Sequence, residues 1–147
     1  MYGKSGQAVQ VSASDEVVLS ADDQDATDFM LVGCRAWDNV PESLRPQCYS
    51  LVEAASPGWY VRQYSYFLRV DPEYNQANVT LFAMDASFIL HTDTFYPGYY
   101  ALESVNFPNH YIQSDADGRL WIAQRLDTVE YNNTASFTIP DYRPSGK

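Results

Sequence analysis

Two cysteines, two histidines and a surplus of carboxylates are the residues of this 147-residue chain whose types and spacing could do chemistry. Cys34 and Cys48 are the only thiols, and an even count suits one disulfide closing a short loop in an oxidising compartment; a reduced pair is the other reading. His91 and His110 have no spacing to each other or to cysteine that suits zinc or a catalytic relay, so both are expected as surface residues. The run Asp22-Asp23-Gln24-Asp25 offers the oxygen ligands that Ca²⁺ favours, yet it lacks the glycine and distal glutamate of an EF-hand loop. A solvated acidic turn is expected there, and no metal or other cofactor. Glycoside hydrolysis needs two carboxyl groups across a cleft. Many acids are present, but no motif places two together, so the chain is not expected to be an enzyme.

Lys and Arg number 9 against 19 Asp and Glu, a formal charge of −10 that repels phosphate backbones and anionic lipid. Nucleic acid is therefore excluded as a partner, and no apolar run is long enough for membrane insertion. The sequons Asn78-Val79-Thr80 and Asn132-Asn133-Thr134 make Asn78 and Asn132 candidate N-glycosylation sites, and with the cysteines they favour secretion. The opening Met1-Tyr2-Gly3-Lys4-Ser5-Gly6 lacks the hydrophobic stretch of a signal peptide. One module of a larger secreted or cell-surface protein is the expectation that joins these facts.

The elements that must position such residues are announced by an internal repeat. Tyr49-Ser50-Leu51 followed by Ser56-Pro57-Gly58-Trp59-Tyr60-Val61-Arg62 matches Tyr100-Ala101-Leu102 followed by Phe107-Pro108-Asn109-His110-Tyr111-Ile112-Gln113. Further on, Phe67-Leu68-Arg69-Val70 pairs with Arg119-Leu120-Trp121-Ile122, and Asp85-Ala86-Ser87-Phe88 with Thr134-Ala135-Ser136-Phe137. Each copy reads as four short strands of β-branched and aromatic residues broken by turn chemistry, and helical periodicity is nowhere sustained. A degenerate copy is expected at the N-terminus, its first strand missing or unrecognisable, with Ser5-Gly6-Gln7-Ala8-Val9 resembling Asp117-Gly118-Arg119-Leu120-Trp121 and Ala26-Thr27-Asp28-Phe29 resembling the closing segment. The expected fold is all-β, a single β-trefoil module over residues 1–147. Repeat 1 spans about 1–33, a disulfide loop 34–48, repeat 2 about 49–98 and repeat 3 about 99–147. The aromatic clusters Tyr64-Ser65-Tyr66-Phe67 and Phe95-Tyr96-Pro97-Gly98-Tyr99-Tyr100 are expected mainly in the core, with a sugar-stacking platform as the alternative; Phe88 and Phe137 are assigned to the core.

The repeat pattern, an opening strand, a Phe-Pro-Gly-like turn, Tyr-Ile-Arg-His, a hairpin and a closing Asp-Ala-Thr-Phe, resembles the arabinofuranosidase B domain, carbohydrate-binding module family 42. The resemblance covers residues 49–142 well and 5–33 poorly. It implies that a non-reducing-end arabinofuranose sits in a pocket of a repeat, held by the His of the Arg-His step and by the Asp of the closing segment. In repeat 2 these positions hold Arg62, Gln63 and Asp85, with Gln63 in place of the His and with Tyr60 and Trp59 as aromatic walls. Repeat 3 has Gln113, Ser114 and Thr134 there, and no family-type site is expected in it. Asp85 could instead cap a turn, and Arg62 could pair with Asp85 and neutralise it. The function so implied is non-catalytic carbohydrate binding, of a glycan or sugar of furanose type. The alternative is a protein–protein interaction or structural module, bound to an extracellular protein, whose sugar pockets have decayed.

Overall fold

Short runs in which apolar residues alternate with polar ones form strands when one face can be buried. In a computed structural model that describes residues 1–20 and 26–140, twelve such strands occur among the described residues. They are β1 Tyr2–Gly3, β2 Ala8–Val11, β3 Val17–Ser20, β4 Phe29–Gly33, β5 Cys48–Glu53 and β6 Trp59–Tyr64. β7 Phe67–Pro72, β8 Phe88–Thr92, β9 Tyr100–Ser104, β10 His110–Ser114, β11 Leu120–Gln124 and β12 Phe137–Thr138 follow. The fold is all-β with few helices, and its strand pairings are antiparallel. Strands β5, β8, β9, β10, β11, β7 and β6 form a closed ring, which leaves no free edge among them.

The core lies inside this ring, where Val61, Leu68, Phe88, Leu102, Ile112 and Phe137 are each essentially inaccessible to solvent. Phe88 and Phe137 thus sit where the sequence places them. The first strand, β1, is only two residues long, and its pairing with β12 and β2 ties residues 2–3 to residues 137–138. The turn at Ser5 and Gly6 joins β1 to β2, whereas Asp117 and Gly118 join β10 to β11. The resemblance expected between those two segments therefore does not correspond to like positions in the sheet. Asp22, Asp23, Gln24 and Asp25, read as a solvated acidic turn, lie outside the described residues.

Two short α-helices accompany the strands, α1 Val79–Asp85 and α2 Val129–Thr134, and neither sustains a helical period. At seven and six residues they make fewer than two turns, too few to leave a periodic signature. Their caps are the legible signal. The side chain of Asn78 accepts from Leu81 N, and that of Thr128 accepts from Tyr131 N, satisfying first-turn amides that have no partner within the helix.

Cys34 and Cys48 form the expected disulfide, with Cα atoms 5.3 Å apart, and it joins the segment after β4 to the first residue of β5. The loop it closes carries 3₁₀ turns at Trp37–Asn39 and Glu42–Gln47. With Ala36, Val40 and Ile89 the cystine makes a small apolar cluster of its own.

Candidate functional site

Strand β6 is buried on both faces, because its inner side meets the barrel core and its outer side meets α1. Val61 points inward, so alternation sends Tyr60 and Arg62 outward under the helix. Asp85 closes α1, where the helix dipole disfavours a negative charge, and Arg62 offsets this by donating from Nη2 to Asp85 Oδ2 at 2.5 Å. Gln63 Nε2 and Asn106 Nδ2 both donate to the other oxygen, Oδ1, at 2.6 and 2.7 Å. Asp85 is only 3% exposed. Its carboxylate is thus occupied by three side chains drawn from β6 and from the segment after β9.

Arg62 is held as completely. It donates to Gln76 Oε1 and to the Gln63 carbonyl, and its guanidinium lies between the rings of Tyr64 and Phe82, 5.5 and 5.1 Å from their centroids. Of the two readings that the sequence leaves open for Arg62, pairing with Asp85 is the one in place. Asn106 has no counterpart among the residues singled out from the sequence, because it reaches Asp85 from across the sheet.

The Asp85 cluster is connected to an aromatic surface. Gln63 Oε1 accepts from Tyr66 N at 3.1 Å, and Asn106 directly precedes Phe107. Tyr66 stacks on His110 with centroids 6.1 Å apart and planes 23° from parallel, and its ring lies 5.1 Å from that of Phe107. Tyr64 is 56% and Tyr66 43% exposed. This corrects the expectation that the Tyr64-Ser65-Tyr66-Phe67 cluster fills the core: the hairpin between β6 and β7 turns on only two residues, so the rings beside the turn project past the sheet. Ser65 and Tyr66 have φ of 51° and 75°, the left-handed pair that a two-residue hairpin requires and that glycine or asparagine adopts most easily. A tyrosine held there carries backbone strain, a feature that clusters at binding sites.

The sequence profile of the alpha-L-arabinofuranosidase B (ABFB) domain matches residues 8–139. The chain belongs to this family. Among solved structures, the AbfB chain is similar to an arabinofuranosidase complexed with arabinofuranosyl-α-1,2-xylobiose, at 20% identity and a TM-score of 0.64, and to a GH54 α-L-arabinofuranosidase soaked with a cyclic sulfate inhibitor, at 20% and 0.63. Each match covers 90% of this chain but 29% of the enzyme, so the AbfB chain spans under a third of those proteins. It also resembles in fold the cytokine interleukin-36α, at 17% identity and a TM-score of 0.59, over 89% of this chain and 84% of that one. No curated protein matches it.

The remaining site residues of the AbfB chain fall apart in space. Trp59 lies on the opposite face of β6 from Arg62 and packs against the barrel core. Tyr60 is buried edge-on against Phe82, 78° between planes, with the Arg35 guanidinium 5.4 Å from its ring. Neither forms an open wall. His110, expected as an ordinary surface residue, is part of the aromatic surface, and His91 Nε2 meets Glu103 Oε1 at 2.8 Å.

At the place in α2 and β10 that matches Asp85 and Arg62, Thr134 donates to Gln113 Oε1 at 2.7 Å. A neutral hydrogen bond stands where the ion pair stood. Beside it a cavity of about 380 Å³ opens, lined by Ser5, Gln7, Leu19, Ser114, Thr134 and Phe137 among others. The sequence gives no sign of this opening, which depends on the chain start folding over β12. No group of three or more metal-ligating side chains occurs among the described residues.

Proposed function

We propose that the chain is a non-catalytic carbohydrate-binding module, built as a β-trefoil and acting within a larger extracellular protein. The family supports it, since the AbfB domain of arabinofuranosidases is a carbohydrate-binding module. The trefoil reading is supported by strand pairings that recur along the chain: β1 with β2, β5 with β6, β9 with β10; β2 with β3, β6 with β7, β10 with β11; and β4 with β5, β8 with β9, β12 with β1. Four strands per repeat, taken three times, account for all twelve. The disulfide and the two sequons, with Asn78 exposed at the start of α1, support an extracellular glycoprotein.

The observation that carries the reading is Tyr66, half exposed and strained, stacked with His110, tilted against Phe107 and tied through Gln63 to the buried Asp85 cluster. A sugar presents C–H groups on one ring face and hydroxyls at its edge. The aromatic surface takes the first by apolar contact, and polar groups at its margin take the second. Asp85 then acts through its neighbours: it holds Gln63, which holds Tyr66, and it holds Asn106, which sets the start of the Phe107 turn. Arg62 neutralises Asp85, while Tyr60 and Trp59 pack the strand on its two sides. The ligand class is a neutral sugar with an accessible furanose or pyranose face, for which arabinofuranosyl-α-1,2-xylobiose is a fitting probe.

Saturation of Asp85 favours one competing reading, a protein-binding surface on a scaffold whose sugar pocket has closed. Calorimetric titration of a furanose and pyranose oligosaccharide panel separates the two. Binding that Tyr66→Ala reduces at least about tenfold, the loss expected for a stacked aromatic, supports the module. No binding across the panel, together with capture of an extracellular protein that excess sugar leaves intact, would overturn it.

A further inference from the structure

We propose that Glu103 is a positioning residue for this sugar-stacking surface, fixing the turn that carries Phe107 and His110, with His91 as its counter-group. The inference rests on the carbohydrate-binding reading and concerns residues outside the Asp85 cluster. Glu103 lies on β9, and its two carboxylate oxygens face in different directions. Oε1 meets His91 Nε2 on β8 at 2.8 Å, and Oε2 accepts from Asn109 N at 2.7 Å. Asn109 has a φ of 65°, so the backbone amide that Glu103 binds belongs to a left-handed residue wedged between Pro108 and His110.

The rest of the turn depends on that residue. Phe107 N donates to Ser104 Oγ at 3.0 Å, His110 N donates to the Phe107 carbonyl at 3.1 Å, and the Asn109 carbonyl accepts from Arg125 N at 2.9 Å. Only the Asn109 amide is secured by a charged side chain, and a carboxylate is a stronger acceptor for it than a carbonyl. Holding Asn109 left-handed sets the angle between the Phe107 and His110 rings, which stand 5.8 Å apart and flank Tyr66.

The titratable and charged groups around the pair are Tyr111 on β10, whose ring is 5.7 Å from that of His91, Tyr131 on α2, and Arg125 after β11. The hydrogen bond from His91, then that from Asn109, holds the Glu103 carboxyl below the usual carboxylate range against the opposing effect of burial. A depressed acid contributes order above its unfolded pKa and loses it as the pH falls through the folded value. Binding is then level near neutrality and weakens only in acid.

The experiment measures affinity for the best-bound panel oligosaccharide against pH in wild type, Glu103→Ala, Glu103→Gln and Tyr66→Ala, alongside the aromatic ring-proton shifts of Tyr66 and His110 without ligand. Glu103→Ala is expected to weaken binding about tenfold at neutral pH while unfolding stays cooperative, and to flatten the acid limb. Glu103→Gln, which keeps an acceptor for Asn109 N, is expected to recover most of the affinity. Affinity in Glu103→Ala within twofold of wild type, while Tyr66→Ala abolishes it, overturns this proposal and leaves the carbohydrate reading standing. If no sugar binds, the carbohydrate reading fails. The ring shifts then decide the role of Glu103: unchanged shifts in Glu103→Ala overturn it.

Discussion

Arg62 reaches Asp85 across the gap between β6 and α1, and the matching gap between β10 and α2 is bridged by Thr134 and Gln113. One position in the fold is thus closed by an ion pair in one place and by two neutral side chains in the other. A buried ion pair is weak evidence for stability by itself, since desolvation offsets the attraction, but removing one partner strands the other. The neutral pair avoids that desolvation and gives up the carboxylate that organises Gln63 and Asn106.

Substitution at this pair should be strongly non-additive. Asp85→Ala leaves the 7%-exposed Arg62 with Asp71, 3.6 Å away, as its remaining counter-charge, and is expected to cost about 3 kcal/mol. Arg62→Gln combined with Asp85→Thr recreates the pair found between β10 and α2. The double variant is expected to lie well above the sum of its single effects in urea unfolding, by about 1.5 kcal/mol or more. Additive effects would show that the two positions are not equivalent.

Loss of the cystine should be felt by the whole barrel. The loop it closes has a sequence separation of 14, and its removal by Cys34→Ser with Cys48→Ser is expected to cost roughly 3 kcal/mol. In thermal unfolding this corresponds to a fall of roughly 6–12 °C for a domain of this size. The variant tests the link between β4 and β5 without touching the aromatic surface.

Tyr131 gives a test at alkaline pH. Its hydroxyl donates to the Ala123 carbonyl at 2.7 Å, and burial pushes its pKa up to about 12. The folded state therefore keeps the proton that the unfolded chain releases near the ordinary tyrosine value of 10, and this contribution is lost as pH rises toward 12. Tyr131→Phe is expected to be less stable than wild type by about 1 kcal/mol at pH 7, with the difference narrowing above pH 10. A gap independent of pH would contradict the burial of this hydroxyl.

The hairpin strain can be relieved without removing the ring. Ser65 has a φ of 51°, which asparagine tolerates better than serine. Ser65→Asn is expected to raise stability by about 0.5 kcal/mol and to leave sugar affinity unchanged, because the Ser65 side chain makes none of the contacts described for the surface.

Strand positions were legible because alternation and the repeats point to the same residues: Leu68 and Val70, like Leu120 and Ile122, reach the core from matching segments. The helices were not, because they are too short for periodicity and only Asn78 and Thr128 mark their starts. The Arg62–Asp85 pair was foreseeable as one of two readings. Asn106 was not, since its contact with Asp85 spans 21 residues and depends on how the segment after β9 folds back. Exposure of Tyr66 was hidden for another reason. Alternating aromatics look the same whether a strand continues or ends, and two residues of positive φ decide that they leave the core.

The central claim is that sugar rests on Tyr66 and its neighbours while Asp85 stays buried. It is tested most directly by titrating arabinofuranosyl-α-1,2-xylobiose and related oligosaccharides while following the Tyr66 and His110 ring protons and the backbone amides by NMR. The expected result is saturable shifts at Tyr66, Phe107 and His110, with a smaller response at Asn106 and Gln63. Saturable shifts confined to the cavity beside Thr134, or no saturable shift with any oligosaccharide, would contradict it.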